Sequence, residues 1–130
     1  MTSNPPLFDP TQIAFNAAGL VPVIAQEAHS KQVLMMAWMN ALALQQTLAS
    51  GRMTYWSRSR KALWVKGETS GHRQDLVELR YDCDGDCLLA LVRQHGAACH
   101  TNRRSCFYRA IRAGARGEWR AEVIEAVIKK

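Results

Sequence analysis

Apolar residues along this chain fall in short blocks bounded by turn formers, a pattern of strands more than of helices. Leu20–Gln26, with its Val and Ile residues, predicts a strand; Ala28–Lys31 predicts a polar turn and Gln32–Trp38 a second strand. Asn40 is a good helix cap ahead of Ala41–Leu48, where Leu42, Leu44 and Leu48 form a partly amphipathic set and Gly51 supplies a stop. Met53–Ser57 and Ala62–Lys66 read as strands, followed by a Gly67–Gly71 loop. Asp75–Tyr81 alternates apolar and polar positions and Cys87–Val92 is apolar, so the two predict a hairpin around Asp82–Asp86. Residues 1–12, with Pro5, Pro6 and Pro10, read as an irregular lead-in, and Trp119–Ile128 suits either a helix or a strand. There is no repeat, low-complexity tract or internal linker. The expectation is one α+β domain over residues 1–130, predominantly β.

Size agrees: 130 residues fit one hydrophobic core. With 48% hydrophobic and 22% charged residues the composition is that of a globular protein. The longest apolar run, Val33–Met39, is far short of the ~20 residues that span a bilayer. Met1–Pro10 has neither a basic residue nor an apolar block, unlike a secretion or transit signal, so a cytoplasmic location is expected. The net charge of +6 comes from basic residues gathered in Arg52–Arg73 and Arg103–Arg120. Such surfaces attract nucleic acid, anionic lipid or phosphorylated small molecules, although any single Lys or Arg is more often just solvated.

Cysteine placement narrows the field. Cys83, Cys87, Cys99 and Cys106 all lie in one stretch of the chain, where an exported protein would scatter them to staple distant loops. The densest chemistry is Asp82-Cys83-Asp84-Gly85-Asp86-Cys87. Carboxylates suit Mg²⁺ or Ca²⁺ and thiolates suit Zn²⁺. If the segment is extended, Asp82, Asp84 and Asp86 face one way and Cys83 and Cys87 the other. An EF-hand loop is excluded, because Cys87 stands where its glycine should be and Arg93 where its bidentate Glu should be. In a strand, Cys83 and Cys87 lie ~13 Å apart, too far for one ion, whereas in a helix or tight loop they could meet. Cys99 and Cys106 are separated by six residues, more than in a common zinc-finger knuckle. Spacing alone leaves a structural four-cysteine site and an open three-cysteine site equally open.

Three separated blocks, in order, closely resemble the phosphoribosyl-AMP cyclohydrolase family. They are Val33–Asn40; Trp56–Arg60 with Leu63–His72; and Asp82–Asp86 followed by Cys99-His100-Thr101 and Ser105-Cys106-Phe107. Together they run from about residue 20 to residue 109. Asn102 stands where a glycine is expected, and Asn tolerates the left-handed backbone better than most residues.

The resemblance implies a hydrolase of histidine biosynthesis that opens the adenine ring of 1-(5-phosphoribosyl)-AMP at the C6–N1 bond, using a zinc-activated water. It implies zinc on Cys83, Cys99 and Cys106, with Cys83 coming from the other chain of an intertwined homodimer, and magnesium on Asp82, Asp84 and Asp86. Cys87 is not carried over as a ligand. His100, beside Cys99, is the first candidate for the base and His72 the second; His29 and His95 read as spectators. Arg58, Arg60, Lys66, Arg103 and Arg104 are candidates for the substrate phosphates, with Ser57, Thr69 and Ser70 as hydrogen-bond donors. Trp56 is a candidate to stack on the purine, as are Trp38 and Trp64, although core packing accounts better for Trp38. The partners expected are a phosphorylated nucleotide and a second copy of the chain, with neither nucleic acid nor membrane.

Two other classes compete. A zinc-stabilised nucleic-acid module would use the Arg clusters and aromatics, but the acidic Asp82–Asp86 segment would repel phosphates. A purely structural zinc protein that joins two chains is compatible with the same spacing.

Overall fold

The computed structural model describes residues 5–128. Its centre is a four-stranded sheet in the order β2-β1-β6-β5, made from Val21–Glu27 (β1), Val33–Met39 (β2), Gln74–Tyr81 (β5) and Leu88–Gln94 (β6). Two antiparallel hairpins, β1–β2 and β5–β6, are joined along the middle by the parallel pairing of β1 with β6. Parallel neighbours cannot be linked by a tight turn. The intervening chain supplies the crossover as one helix, Ala41–Ser50 (α1), and a short hairpin, Thr54–Ser57 (β3) with Ala62–Val65 (β4).

Alternation drives the burial. Along β1 every second residue is inward, giving Val21, Val23, Ala25 and Glu27; along β6 Leu88, Ala90, Val92 and Gln94 do the same. α1 closes the core with Ala43, Leu44 and Thr47. The helix starts where Asn40 Oδ1 accepts the Ala43 N–H at 2.8 Å and ends at Gly51, whose φ of 76° a side chain would resist.

The expectation of a mostly β, α+β domain is borne out, with boundaries within a few residues. Three details differ. The lead-in contains a 3-10 turn, Pro10–Gln12, capped by Asp9. Cys87 belongs to the turn, and β6 begins at Leu88. The ambiguous tail is a strand only over Trp119–Val123 (β8), paired with an unforeseen strand, Arg109–Ala113 (β7). That partner was illegible because its Arg-Ala-Ile-Arg-Ala sequence has almost no β-branched content and its hairpin buries neither face. No helix among the described residues is long and apolar enough to cross a membrane.

At the end of the sheet where β1 and β6 both finish, the core turns polar. Tyr55 Oη donates to Gln74 Oε1 at 2.6 Å, and Gln74 Nε2 donates to Gln94 Oε1 at 2.8 Å. Both Tyr55 and Gln74 are fully buried. Tyr55→Phe would keep the ring against Trp64 but leave the Gln74 carbonyl without its donor. The expected loss is about 1–3 kcal/mol in urea unfolding. A change below about 0.5 kcal/mol, the level of an ordinary surface substitution, would show that this chain of amides has no stabilising role.

Candidate functional site

The Asp82–Asp86 segment is a tight turn, and its alternating-face reading gives way to a different geometry. Asp82 Oδ1 accepts the N–H groups of Asp86 at 3.0 Å and Cys87 at 3.3 Å, while Gly85 N donates to the Asp82 carbonyl. Gly85 takes a φ of 74° and lies against the Gln12 carbonyl, leaving no room for a Cβ; Ala14 N donates to Gly85 O at 2.8 Å. The lead-in therefore seats the turn. The result is convergence: one carboxylate oxygen each from Asp82, Asp84 and Asp86 lies within 4.8 Å of the others, all exposed. Asp86, hydrogen-bonded to Asp84 and Asp82 and repelled by both charges, has its carboxyl raised to about 6. Asp82 moves the other way: slight burial raises it, but hydrogen bonds from Asp86, Asp84 and Cys87 prevail and lower it. Three crowded carboxylates whose mutual repulsion raises one of them are a donor set suited to a hard divalent cation.

The second centre lies on the loop after β6. Cys99 and Cys106 come together, sulfur to sulfur, as free thiols. The Cys106 end is fixed on the free edge of β2, where Cys106 N donates to Leu34 O at 2.7 Å and Ser105 Oγ to Val33 O at 2.8 Å. The Cys99 end is fixed by Cys99 N to Arg103 O and Asn102 N to Cys99 O. Asn102 adopts a φ of 62°, so the left-handed turn persists without glycine. Burial pushes the Cys99 thiol up, but hydrogen bonds from the Thr101 hydroxyl (3.0 Å) and N–H, the Cys106 thiol and the Arg103 charge bring it below its ordinary value. Cys106, exposed as a residue but shielded at the sulfur, is pushed up to about 11 by burial and by the neighbouring Cys99 charge, with Lys66 opposing. A pair in which one sulfur favours the thiolate suits a thiophilic metal.

Lys66, a candidate for a substrate phosphate, donates its ammonium to Ala98 O at 2.6 Å, lies over the Trp64 ring and faces both thiols. Burial lowers its pKa, and the two cysteines oppose that. Lys66 also joins two neighbouring clefts, each of about 360 Å³. One is lined by Ser70, His72, Cys99, His100 and Asn102; the other by Arg60, Trp64, Thr69 and Ser70. The fold thus gathers His72, His100, Lys66, Arg60, Thr69 and Ser70 beside the thiol pair. His72 is seated by a close backbone approach: a Cβ on Gly96 would lie 2.6 Å from His72 Cδ2.

Arg104, Arg103, Arg58, Ser57 and Trp56 do not line these two clefts. Arg104 spends its guanidinium on Glu27, Gln94 O and Gly96 O. Arg103 donates to Glu125 O and stacks on Tyr108, 4.1 Å from the ring centre. Arg58 lies over Trp38, Ser57 Oγ accepts the Arg60 N–H in the β3–β4 turn, and half-buried Trp56 pairs with Leu63 across that hairpin. Trp64, which lines the second cleft, also packs at 5.1 Å on Tyr55. The reading missed Thr101 and Glu27; no spacing signal marks either, since their roles come from loop closure.

Cys83 is exposed and does not join Cys99 and Cys106. Among the described residues, Asp82, Asp84 and Asp86 form the sole group of three or more His, Cys, Asp or Glu ligands close enough to hold one ion. The reason is architectural. Cys83 precedes β6 and Cys99 follows it, and a seven-residue strand is roughly 20 Å long.

Residues 35–108 match the model of the phosphoribosyl-AMP cyclohydrolase family. The chain is 62% identical over 117 residues to a phosphoribosyl-AMP cyclohydrolase of Ruegeria pomeroyi, covering 90% of this chain and 98% of the relative. It is 68% identical over 108 residues to one of Paracoccus denitrificans, covering 83% and 89%, and 66% identical over 107 residues to one of Roseobacter denitrificans, covering 82% and 84%.

A cation entering the acidic turn must displace the proton that Asp86 holds below about pH 6. Magnesium affinity is therefore predicted to be level above that pH and to fall by up to about ten-fold per unit below it. Titration calorimetry with Mg²⁺ at pH 5, 6 and 7.5 measures this. Equal affinity at all three would mean that the triad is not where the ion binds.

Proposed function

The chain belongs to the phosphoribosyl-AMP cyclohydrolase family, a family of hydrolases, and from that premise we propose how it works. It opens the adenine ring of 1-(5-phosphoribosyl)-AMP by hydrolysis of the C6–N1 bond. The product is the formimino-aminoimidazole carboxamide ribonucleotide, in the third step of histidine biosynthesis. The observation that carries the reading is the Cys99–Cys106 thiol pair beside a cleft holding His72, His100 and Lys66.

The phosphoribosyl group on N1 makes the purine electron-poor, so C6 is the electrophile. Water adds through its oxygen to C6, and His100, on the wall of the cleft, takes the proton, with His72 as the alternative acceptor. The C6–N1 bond then breaks and N1 leaves with the electron pair, gaining a proton; C6 becomes the carbon of a carboxamide. Arg60, Thr69 and Ser70 line the adjoining cleft and are suited to a phosphate. Cys99 and Cys106 would hold zinc with Cys83, and Asp82, Asp84 and Asp86 would hold magnesium. Bound there, zinc supplies the Lewis acidity that makes a water nucleophilic near neutral pH.

The third thiol comes from a second copy of the chain. Two observations support this. Cys83 and the thiol pair sit at opposite ends of β6. The β7–β8 hairpin also projects with Ile111 and Trp119 more than 70% exposed, a large apolar area for a single chain to leave open. The protein is then an intertwined homodimer of the cytoplasm, with metal binding and association linked.

Ring opening of phosphoribosyl-AMP, followed by absorbance with and without a chelator, tests the activity; a metal-replete protein that leaves the ring intact would exclude it. It also separates this reading from a nucleic-acid module or a structural zinc protein. Cys83→Ser, Cys99→Ser and Cys106→Ser are each expected to lose zinc and turnover, whereas Cys87→Ser keeps both. Mixing inactive Cys83→Ala and Cys99→Ala chains should restore up to one good site per mixed dimer. No recovery in mixed dimers verified by native mass spectrometry would place all three ligands on one chain.

His100→Ala is expected to keep zinc and the dimer while losing turnover by ~10²–10⁴, the usual scale of general acid–base catalysis. Normal turnover would move the role to His72.

A further inference from the structure

We propose that Glu27 and Arg104 are positioning residues that set the Cys99–Cys106 loop, an inference that rests on the metal-site reading above. The alternation of β1 aims Glu27 into the core side of the sheet, in line with Val21, Val23 and Ala25, and leaves it only 7% exposed. A carboxylate there needs partners. Glu27 Oε1 accepts the His29 N–H at 3.0 Å; Oε2 accepts the Gln94 N–H at 2.9 Å and Arg104 Nη2 at 3.2 Å. None of these partners is apolar packing that another residue type would replace.

Arg104 ties both ends of the loop. Its guanidinium reaches Gln94 O at 3.3 Å and Gly96 O at 3.2 Å, where the loop leaves β6. Its own carbonyl accepts the Ala98 N–H at 3.0 Å, one residue before Cys99, and it stands two residues before Cys106. Gly96, held by the same guanidinium, is the residue against which the His72 ring packs. One planar fork therefore fixes the entry, the exit and the seat of His72. A lysine keeps the charge but reaches one acceptor at a time. The three protein acceptors of its guanidinium give Arg104 a role distinct from the phosphate contact first expected for it.

The test uses the full-length protein with Arg104→Gln, Arg104→Lys, Glu27→Gln and the Glu27→Gln/Arg104→Gln double variant. The readouts are Zn²⁺ affinity by chelator competition after metal removal, kcat and KM of the zinc-loaded enzyme, and urea midpoint. Arg104→Gln and Glu27→Gln are expected to weaken Zn²⁺ binding by about 10–100-fold, the usual effect of losing an outer-shell partner, and to lower kcat with KM little changed. Arg104→Lys should fall between them and wild type. The double variant should be no worse than the poorer single, because the two residues act as one unit. Wild-type Zn²⁺ affinity with a lowered urea midpoint would overturn the proposal in favour of a purely stabilising pair. A raised KM at unchanged Zn²⁺ affinity would overturn it in favour of a phosphate ligand. If Arg104→Gln does not fold, wild-type Zn²⁺ affinity in Arg104→Lys is the overturning result. Cys99→Ser is the control for the premise: if it retains zinc, the metal-site reading fails first, whereas zinc loss there beside unaltered Arg104 variants sinks the positioning role alone.

Discussion

The parallel pairing of β1 with β6 is the constraint on which the candidate chemistry depends. It places β6 in the middle of the sheet, hydrogen-bonded on both sides, between two chemically different ends. The acidic turn enters at one end and the thiol loop leaves from the other. Seven extended residues paired on both sides set that separation. Hard oxygen ligands and soft sulfur ligands that are close in sequence are thereby kept apart within one chain, and the proposed zinc site needs a second copy to be complete.

The same pairing brings the ends of β1 and β6 to one edge, and the polar part of the core is gathered there. Tyr55, Gln74, Gln94 and Glu27 sit at inward positions where alternation calls for apolar side chains. Each has a bonded partner, and no buried side-chain nitrogen or oxygen among the described residues lacks one. Directional bonds select one loop geometry more sharply than apolar packing does. A loop that must hold two sulfurs in register is where such selection is worth the desolvation it costs.

The sheet was legible because its strands alternate or run apolar, and the helix because Asn40 and Gly51 punctuate it. The β7–β8 hairpin was half legible, since strands that bury neither face carry no burial pattern. Within the site, the cysteines and aspartates stood out by residue type and clustering. The basic residues did not sort themselves. Lys66, Arg103 and Arg104 share a charge with Arg60, but only closure of the 95–106 loop decides that Lys66 faces sulfur, Arg103 stacks on Tyr108 and Arg104 is consumed by Glu27. The Asp82–Asp86 case is instructive in another way. The three carboxylates were expected to share a side through strand alternation; they converge through a turn nucleated by Asp82 itself, with Gly85 supplying the left-handed step.

Lys66 stands where the proposed zinc site would need a counter-charge. In the proposed site three thiolates surround one dication, a net charge of −1 in a half-buried cleft. Such an imbalance is costly away from water unless a counter-charge is near. The Lys66 ammonium is held against Ala98 O at 2.6 Å, facing Cys99 and Cys106, so it supplies +1 where the excess lies. Three sulfurs also donate more charge than three imidazoles would, which makes the metal a weaker Lewis acid and raises the demand on the proton acceptor. A cation beside the sulfurs withdraws part of that charge. With zinc bound as proposed, it would partly restore the acidity that cysteine ligands give up. The proposed zinc site thus gives a half-buried lysine beside two thiols a physical reason, in a chain whose other basic residues include exposed arginines.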